Sequence, residues 1–208
     1  SNWAVSSVID GVGPVSSSIV KLQDKYARAL WIYFGTGRYN YKSGATIDED
    51  YSGQQEAIYG IKDPCYSSIA NDFNNIACTT SVSTTSLTNQ TSSVSASIPV
   101  GWKINLATAT SSLRAQRIIT NPVSSTLGVL YFVAMKPSSD VCSYGGTTSL
   151  WGINYNTGGP ISSKIKGSAL LQQSTGASVE VSLSGAFTAS GNREASSVSG
   201  VPPIGPGS

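Results

Sequence analysis

Histidine is absent from the 208 residues, and with it the commonest general base of enzymes and the commonest ligand of transition metals. Charged side chains are scarce as well, at 12% of the chain against roughly 25% in typical globular domains. The few carboxylates form no pair in a context that suggests a glycosidase, and no G-x-S-x-G nucleophile elbow occurs. We therefore predict that the chain is not an enzyme.

Features of membrane and nucleic-acid partners are missing too. No stretch of about 18 apolar residues occurs, which argues against a membrane-spanning helix. The formal net charge of +2, without a Lys/Arg run, gives no electrostatic footprint for nucleic acid or for an anionic membrane. The first residues lack the basic and apolar regions of a signal peptide and do not start with Met, so we expect a mature, trimmed or excised chain.

Only three cysteines occur. Cys65 and Cys78 lie 13 positions apart (78 − 65) in a polar segment, and in an oxidising compartment we expect them to pair, with two free thiols as the alternative. Cys142 has no histidine to activate it as a nucleophile. A buried thiol and a bond to a part of the protein missing from this sequence both stay open for Cys142.

Two long apolar runs predict the centre of the fold. The stretch Ala29 to Tyr39, ALWIYFGTGRY, is apolar without interruption from Ala29 to Phe34 and then turns at Gly-Thr-Gly, which predicts an inner strand covered on both faces. The run from Leu127 to Met135 predicts a second such strand. Residues 101–106, GWKINL, alternate instead and predict a strand with one wet face.

Shorter patterns predict the rest. A β-type run spans Val15 to Val20, the charged segment KLQDKYAR is predicted as a turn, and Glu56 to Asp63 is predicted as a strand. Residues 40–55 form a polar loop, 64–98 an inserted surface loop rich in Ser and Thr, and 201–208 a Pro/Gly-rich tail.

The order of these pieces repeats. Pro14-Val15-Ser16-Ser17-Ser18 corresponds to Pro122-Val123-Ser124-Ser125-Thr126, 108 residues on (122 − 14). Each motif is followed by an apolar strand, WIYFG or VLYFV, and then by IYGIK or LWGIN. Repeated short β-units are typical of propeller blades, and a sandwich is the alternative. The fold class is therefore predicted as all-β with antiparallel sheets.

Several blocks, in their order, resemble the C-terminal domain of the PilC/PilY family, which comprises type IV pilus assembly factors and tip-associated adhesins. The blocks are PVSSSIVKL, LWIYFGTGRY, AIYGIKDPC, GWKINL, QRIITNPV, LYFVAMKPSSDVC and YGGTTSLWGINYNTGG, between about Gly13 and Gly159. The resemblance implies a modified β-propeller, an extracellular or cell-surface location on the pilus, and roles in pilus extension or stability and in adhesion.

The chain departs from that family in length. Family members are usually several times longer, so residues 1–200 are expected to be one propeller-like domain, the C-terminal fragment of a larger protein. Missing blades would leave sheet edges and apolar faces uncovered. We therefore expect a partner, either the N-terminal part of the same precursor or another subunit. The pilus tip or minor pilins, and a host, mineral or glycan surface, are further expected partners.

The resemblance also implies calcium, because the family has an acidic calcium-binding loop. The nearest match runs from Asp48 to Glu56, with oxygen ligands at Asp48, Asp50, Ser52 and Glu56 and a glycine at the sixth position. The twelfth position of an ordinary loop of this type, which should be Glu, is Tyr59. A solvated acidic loop is the simpler interpretation.

Aromatic residues are the other candidates for a site. Trp31, Trp102 and Trp151 lie inside predicted strands, so we expect them to pack between sheets rather than to stack on sugars. The tyrosines in or beside the polar loop are the candidates for surface contact: Tyr39, Tyr41 and Tyr51.

Two short motifs receive structural interpretations. Gly35-Thr36-Gly37 begins like a dinucleotide fingerprint, but the third glycine is missing and no helix is predicted after it, so Arg38 is expected to have a structural role. Asn89-Gln90-Thr91 matches a glycosylation sequon, but the match is short and an ordinary polar loop is the preferred interpretation.

These observations together predict a non-catalytic, pilus-associated surface protein that offers loops 40–55 and 79–98 to a receptor. A structural subunit of an extracellular fibre is the first alternative, and a carbohydrate-binding module is the second.

Overall fold

A computed structural model describes the following parts of the chain: residues 5, 7–38, 55–66, 69, 78–140, 146–161, 168–172, 178–182, 193–194 and 198–199. The regular secondary structure of the described residues is almost entirely β-strand, which confirms the predicted all-β class. One short 3-10 helix spans Thr84–Ser86, and the Ser83 side chain caps it by accepting a hydrogen bond from the Thr85 amide. None of the described helical residues makes a helix long and apolar enough to cross a membrane.

Fourteen strands are present in the described residues. In chain order they are β1 (Ile9–Asp10), β2 (Val20–Asp24), β3 (Ala29–Gly35), β4 (Ala57–Lys62), β5 (Val82–Ser83), β6 (Thr88–Asn89), β7 (Gly101–Asn105), β8 (Arg117–Ile118), β9 (Val123–Ser124), β10 (Val129–Pro137), β11 (Gly146–Asn154), β12 (Ser168–Gln172), β13 (Ser178–Ser182) and β14 (Val198–Ser199).

The first sheet has the strand order β2-β3-β4-β7-β6. Its first four strands are antiparallel neighbours in chain order, and the two-residue β6 is added in parallel to β7. The long apolar run forms β3, an inner strand whose side chains are buried or half-buried on both faces. The first of the two predicted inner strands is therefore confirmed.

The second sheet has the strand order β14-β11-β10-β8. The short strand β9 also pairs with β10, so β8 and β9 together flank one side of this strand. All of these pairings are antiparallel. The second apolar run thus forms another inner strand, β10, two residues later at each end than the sequence predicts.

Both sheets are built in the same register. Tyr33 of β3 lies opposite Gly60 of β4, and Tyr131 of β10 lies opposite Gly152 of β11. The neighbouring pairs match as well: Ile32 with Ile61 and Leu130 with Ile153, and Phe34 with Tyr59 and Phe132 with Trp151. The internal repeat that the sequence predicts is therefore a repeat of strand pairing.

The outer strands of the repeat correct the sequence alignment. Val20 of β2 lies opposite Tyr33, and Val123 of β9 lies opposite Tyr131. Val20, rather than Val15, is thus the counterpart of Val123, and the repeat offset is 98 residues in the inner strands (131 − 33). The alignment through Pro-Val-Ser-Ser, with its offset of 108, is wrong because Val15 instead forms a single bridge to Gly37.

One apolar cluster joins the two sheets face to face. The first sheet contributes Trp31, Tyr33, Ile58, Trp102 and Ile104. The second contributes Ile118, Leu130, Phe132, Ala134, Trp151 and Ile153. Burial of this many large apolar side chains is the main favourable term in the stability of the fold.

Two glycines of the Gly-Thr-Gly turn make this packing close. A Cβ atom on Gly35 would lie 2.4 Å from the Cβ atom of Ile118, and one on Gly37 would lie 2.4 Å from the Cβ atom of Arg117. Between them, the Thr36 hydroxyl accepts a hydrogen bond from the Ala57 amide at 2.9 Å. The motif therefore brings the end of β3 against β8.

A second apolar cluster covers the opposite face of the first sheet. Phe34, Ala57, Tyr59 and Ile61 point to that face. They pack under residues from two other segments, which we call the cap: Val8, Ile9, Val12, Val82, Leu87 and Val100. Strands β1 and β5 pair in parallel inside the cap. A separate hairpin is formed by β12 and β13.

The predicted strand from Val15 to Val20 is wrong, because β2 begins where that run ends. In β2, Val20 and Leu22 pack against the inter-sheet cluster, whereas Lys21 and Gln23 are exposed. The predicted turn is confined to residues 25–28, where the Asp24 carboxylate accepts hydrogen bonds from two amides of the turn. The alternation of apolar and polar residues in VKLQD indicates this strand, but the charged residues of the segment concealed the pattern.

The predicted surface loop over residues 64–98 also needs correction in its described part. Residues 78–98 supply β5 and β6, and Val82, Leu87 and Ile98 are buried. The Ser/Thr-rich composition concealed these widely spaced apolar anchors. The predicted disulfide bracket between Cys65 and Cys78 is confirmed. No closed sheet is formed by the described strands, so the propeller stays a prediction.

Gly60→Ala is expected to destabilise the protein by about 1–3 kcal/mol or more, because a Cβ atom there would lie 2.3 Å from the Trp102 Cε2 atom. Urea unfolding followed by tryptophan fluorescence measures this loss. Gly13→Ala is the matched control, since its nearest contact, at 3.1 Å, is a carboxylate oxygen at the end of the Glu56 side chain rather than a buried ring. Equal stability of Gly60→Ala and the unaltered chain would contradict the packing described.

Candidate interaction surface

An open apolar groove of about 550 Å³ lies on the outer face of the first sheet. Its floor is formed by Lys21 of β2 and by Ile32 and Phe34 of β3. Its wall is formed by apolar residues of the N-terminal segment: Val8, Ile9, Val12, Val15 and Ile19. A concave apolar surface with one cation at its floor suits a partner with an apolar contact face.

The strand period explains why the groove exists. Successive residues of β3 point to opposite faces, so Ile32 and Phe34 point away from the inter-sheet cluster that contains Trp31 and Tyr33. The cap covers only part of this face. Val15 and Ile19 therefore remain 38% and 54% exposed, which is unusual for large apolar side chains that line a concavity.

Backbone and side-chain hydrogen bonds hold the wall in place. The Gly37 amide donates to the Pro14 carbonyl at 2.8 Å, and the Ser16 hydroxyl donates to the Gly37 carbonyl at 2.8 Å. Further along, the Ser18 amide donates to the Asn121 side chain at 2.8 Å. The groove thus has a wall that is anchored at several points, as expected of a preformed surface.

The cap is anchored by Asp10. Its carboxylate accepts hydrogen bonds from the Ser81 hydroxyl at 2.6 Å and from the Ser7 hydroxyl at 2.8 Å. These two bonds, the one from Ser81 first, lower the pKa of Asp10 below its usual range. The Val82 amide donates to the Val8 carbonyl at 2.9 Å, so the two segments of the cap are joined by backbone and side-chain bonds.

The tryptophans inside the strands pack between the sheets, as predicted. Trp31 stacks on Tyr33 with ring centroids 5.9 Å apart, and Tyr33 in turn lies 6.1 Å from Trp102. The Trp102 indole and the Tyr33 hydroxyl both donate to the Tyr155 carbonyl. Burial raises the pKa of Tyr33 well above its usual range. These aromatic faces are therefore core contacts, and none of them offers a surface for sugar stacking.

Of the four candidate calcium ligands, Glu56 is the one that lies within the described residues. Glu56 is 4% exposed, and its carboxylate lies close to Gly13. Burial first, and the Glu56 carboxylate second, raise the pKa of Tyr59 above its usual range. Asp48, Asp50 and Ser52 lie outside the described residues. Within the described part of the chain, no group of three or more acidic or cysteine side chains is arranged to hold a metal. Calcium binding stays a prediction, which thermal unfolding with and without millimolar Ca²⁺ tests.

The predicted contact tyrosines, Tyr39, Tyr41 and Tyr51, also lie outside the described residues, as do Trp3 and Cys142. An exposed tyrosine that the sequence did not single out is Tyr26, in the turn after β2. The groove was missed as well. Its lining comes from separated valines and isoleucines, which no short motif marks.

The sequon residues have structural partners. The Asn89 side chain accepts hydrogen bonds from the amide and the hydroxyl of Thr91, and the Thr91 hydroxyl accepts one from the Asn105 amide. Gln90 is fully buried and bonds to the backbone of Ser95 and Thr157. These bonds favour a structural role for the motif, at the end of β6 where it pairs with β7.

A polar cluster near the C-terminal end was not predicted. Arg193 donates to the carbonyls of Gln90, Thr91 and Gly158, which lie in two separate segments of the chain. The adjacent Glu194 accepts a hydrogen bond from the side chain of Gln116 at 2.8 Å and another from the hydroxyl of Ser149. These contacts fasten residues 193–194 to the body of the protein.

The Cys65–Cys78 bond is expected to contribute roughly 3 kcal/mol to stability, because it closes a short loop in the unfolded chain. The Cys65→Ser/Cys78→Ser variant should therefore unfold at a lower urea concentration than the unaltered chain. Cys142→Ser is the control that changes the third cysteine without touching this bond. Identical unfolding midpoints for the double variant and the oxidised unaltered chain would contradict a structural role.

Acid is expected to loosen the cap. Because the folded-state pKa of Asp10 is lowered, its contribution to stability is present above about pH 4 and is lost as the pH falls through the lowered value. In Ser81→Ala the loss should begin at a higher pH than in the unaltered chain. A dye that fluoresces on exposed apolar surface measures the opening. Ser86→Ala, a change at an exposed serine of the same segment, should behave as the unaltered chain.

Comparison of the chain with protein-family models, curated proteins and solved structures finds no match in any of the three. The resemblance to PilC/PilY proteins thus rests on the sequence blocks alone. The two stacked sheets, the disulfide and the apolar groove are the structural features that bear on function.

Proposed function

We propose that this chain is a non-catalytic contact module of a pilus-associated cell-surface protein, the C-terminal part of a PilC/PilY-like assembly factor and tip adhesin. The observation that carries the proposal is the pair of stacked sheets in one register. Four antiparallel strands in chain order, β2-β3-β4-β7, form the first unit, and β8/β9, β10, β11 and β14 form the second. Such units are what successive propeller blades consist of.

The sequence blocks support the pilus assignment. The blocks of the resemblance contain the inner strands β3 and β10 and their partners β4, β7 and β11. Thus the segments that resemble the family are those that build both sheets. The modified propeller is then the larger structure to which these two units contribute.

An extracellular location fits the chemistry of the chain. The Cys65–Cys78 bond persists in oxidising compartments and is rare in the cytosol. Low charge and abundant Ser, Thr and Gly fit the same setting. A rigid scaffold with a preformed apolar groove does its work by contact, which suits a subunit that holds a pilus tip on one side and meets a surface on the other.

Labelling of native pili tests the proposal. An antibody against this chain, imaged by electron microscopy, should mark pilus tips with a single site on each, and cells that lack the chain should show no label. Periodic label along a fibre would contradict the tip assignment and favour a structural fibre subunit. Label away from pili, together with specific binding on a glycan array, would instead favour a carbohydrate-binding module.

A further inference from the structure

The two sheets pack through faces that are not equivalent. The first sheet contributes the face that carries Tyr33 and Trp31, whereas the second contributes the face of Leu130 and Phe132. By register, Leu130 and Phe132 are the counterparts of Ile32 and Phe34, which point to the other face of the first sheet. The internal interface is therefore heterologous, with one face of the repeat unit packed on the opposite face of the next.

Each half of that interface has a counterpart on the outside of the molecule. On the first sheet it is the part of the outer face at the apolar groove, where Ile32 is half-buried and Phe34 lies buried at the floor. On the second sheet it is the pair of Val123 and the half-buried Tyr131, the counterparts of Val20 and Tyr33. Val123 is 61% exposed, although Val20 packs against the inter-sheet cluster.

We propose that the chain self-associates head to tail, with the Val123–Tyr131 face of one copy seated in the apolar groove of the next. The contact repeats the chemistry of the internal interface, where a valine and a tyrosine of one unit belong to the same cluster as a leucine and a phenylalanine of the other. Val15 and Ile19, the exposed wall residues, become buried by the second copy. This inference rests on register and exposure and does not depend on the pilus assignment.

The geometry has a direct consequence for assembly. A heterologous contact leaves one unused face at each end of a dimer, so copies continue to add until a ring closes or a filament grows. The association is expected to depend on concentration by mass action.

Sedimentation equilibrium of the oxidised full chain tests the proposal. The average mass should rise above 21.6 kDa as the concentration increases over about a hundredfold range. Ile19→Lys places a second cation in the groove wall, and Val123→Lys places one on the opposite face. Each variant alone should stay at the mass of one chain. An equimolar mixture should form a dimer and nothing larger, because each variant keeps one intact face.

Val94→Lys is the matched control, since Val94 is 51% exposed, lies beside Gly159 and does not line the groove. It should associate like the unaltered chain. Urea unfolding of every variant verifies that it is folded. A single-chain mass at all concentrations for the unaltered protein overturns the proposal. So does continued association of Ile19→Lys, failure of the mixture to pair, or an equal loss in Val94→Lys.

Discussion

The fold depends on the close approach of the Trp102 ring to two glycines, which have no Cβ atom to obstruct it. Its ring lies across Gly60 of the neighbouring strand and against Gly158, where a Cβ atom would come within 2.7 Å of the ring. Its indole nitrogen donates to the Tyr155 carbonyl at 3.0 Å. One side chain thus touches both repeat units. Replacement of a buried tryptophan by alanine typically costs about 3–5 kcal/mol, and here the loss would also uncouple two sheets.

Polar groups extend this contact from the core to the surface. The Tyr155 carbonyl that accepts from Trp102 also accepts from the Tyr33 hydroxyl, and the Tyr155 hydroxyl donates to Asp24 at 2.8 Å. Asp24 in turn accepts from the amides of the turn between β2 and β3. Burial, and the nearby Asp24, raise the pKa of Tyr155, so it remains a neutral donor. These bonds give partners to the Trp102 indole, the Tyr33 hydroxyl and the Asp24 carboxylate, which is the condition for placing such groups between packed sheets.

The strands with long or alternating apolar patterns could be predicted from sequence, because the pattern alone dictates which faces are buried. Long apolar runs predict β3 and β10 as inner strands, and the alternation in WKIN predicts β7. Buried Gln90 and the contacts of Arg193 could not be predicted, since their partners are backbone carbonyls from distant segments that leave no trace in composition. The groove escaped prediction for a related reason, because its lining is spread over three segments.

The two sheets repeat the same strand register but pack through opposite faces, so the two outer faces of the pair differ from each other. This asymmetry decides where the molecule can make contacts. At the first sheet the chain covers much of the end with its own cap, which protects Tyr59 and Ile61 from water but leaves Ile32 beside the groove. At the second sheet Val123 stays exposed. The inter-sheet cluster already contains the counterparts of both outer surfaces packed against each other. The two ends, where apolar side chains stay exposed, are therefore the candidate contact surfaces of this architecture.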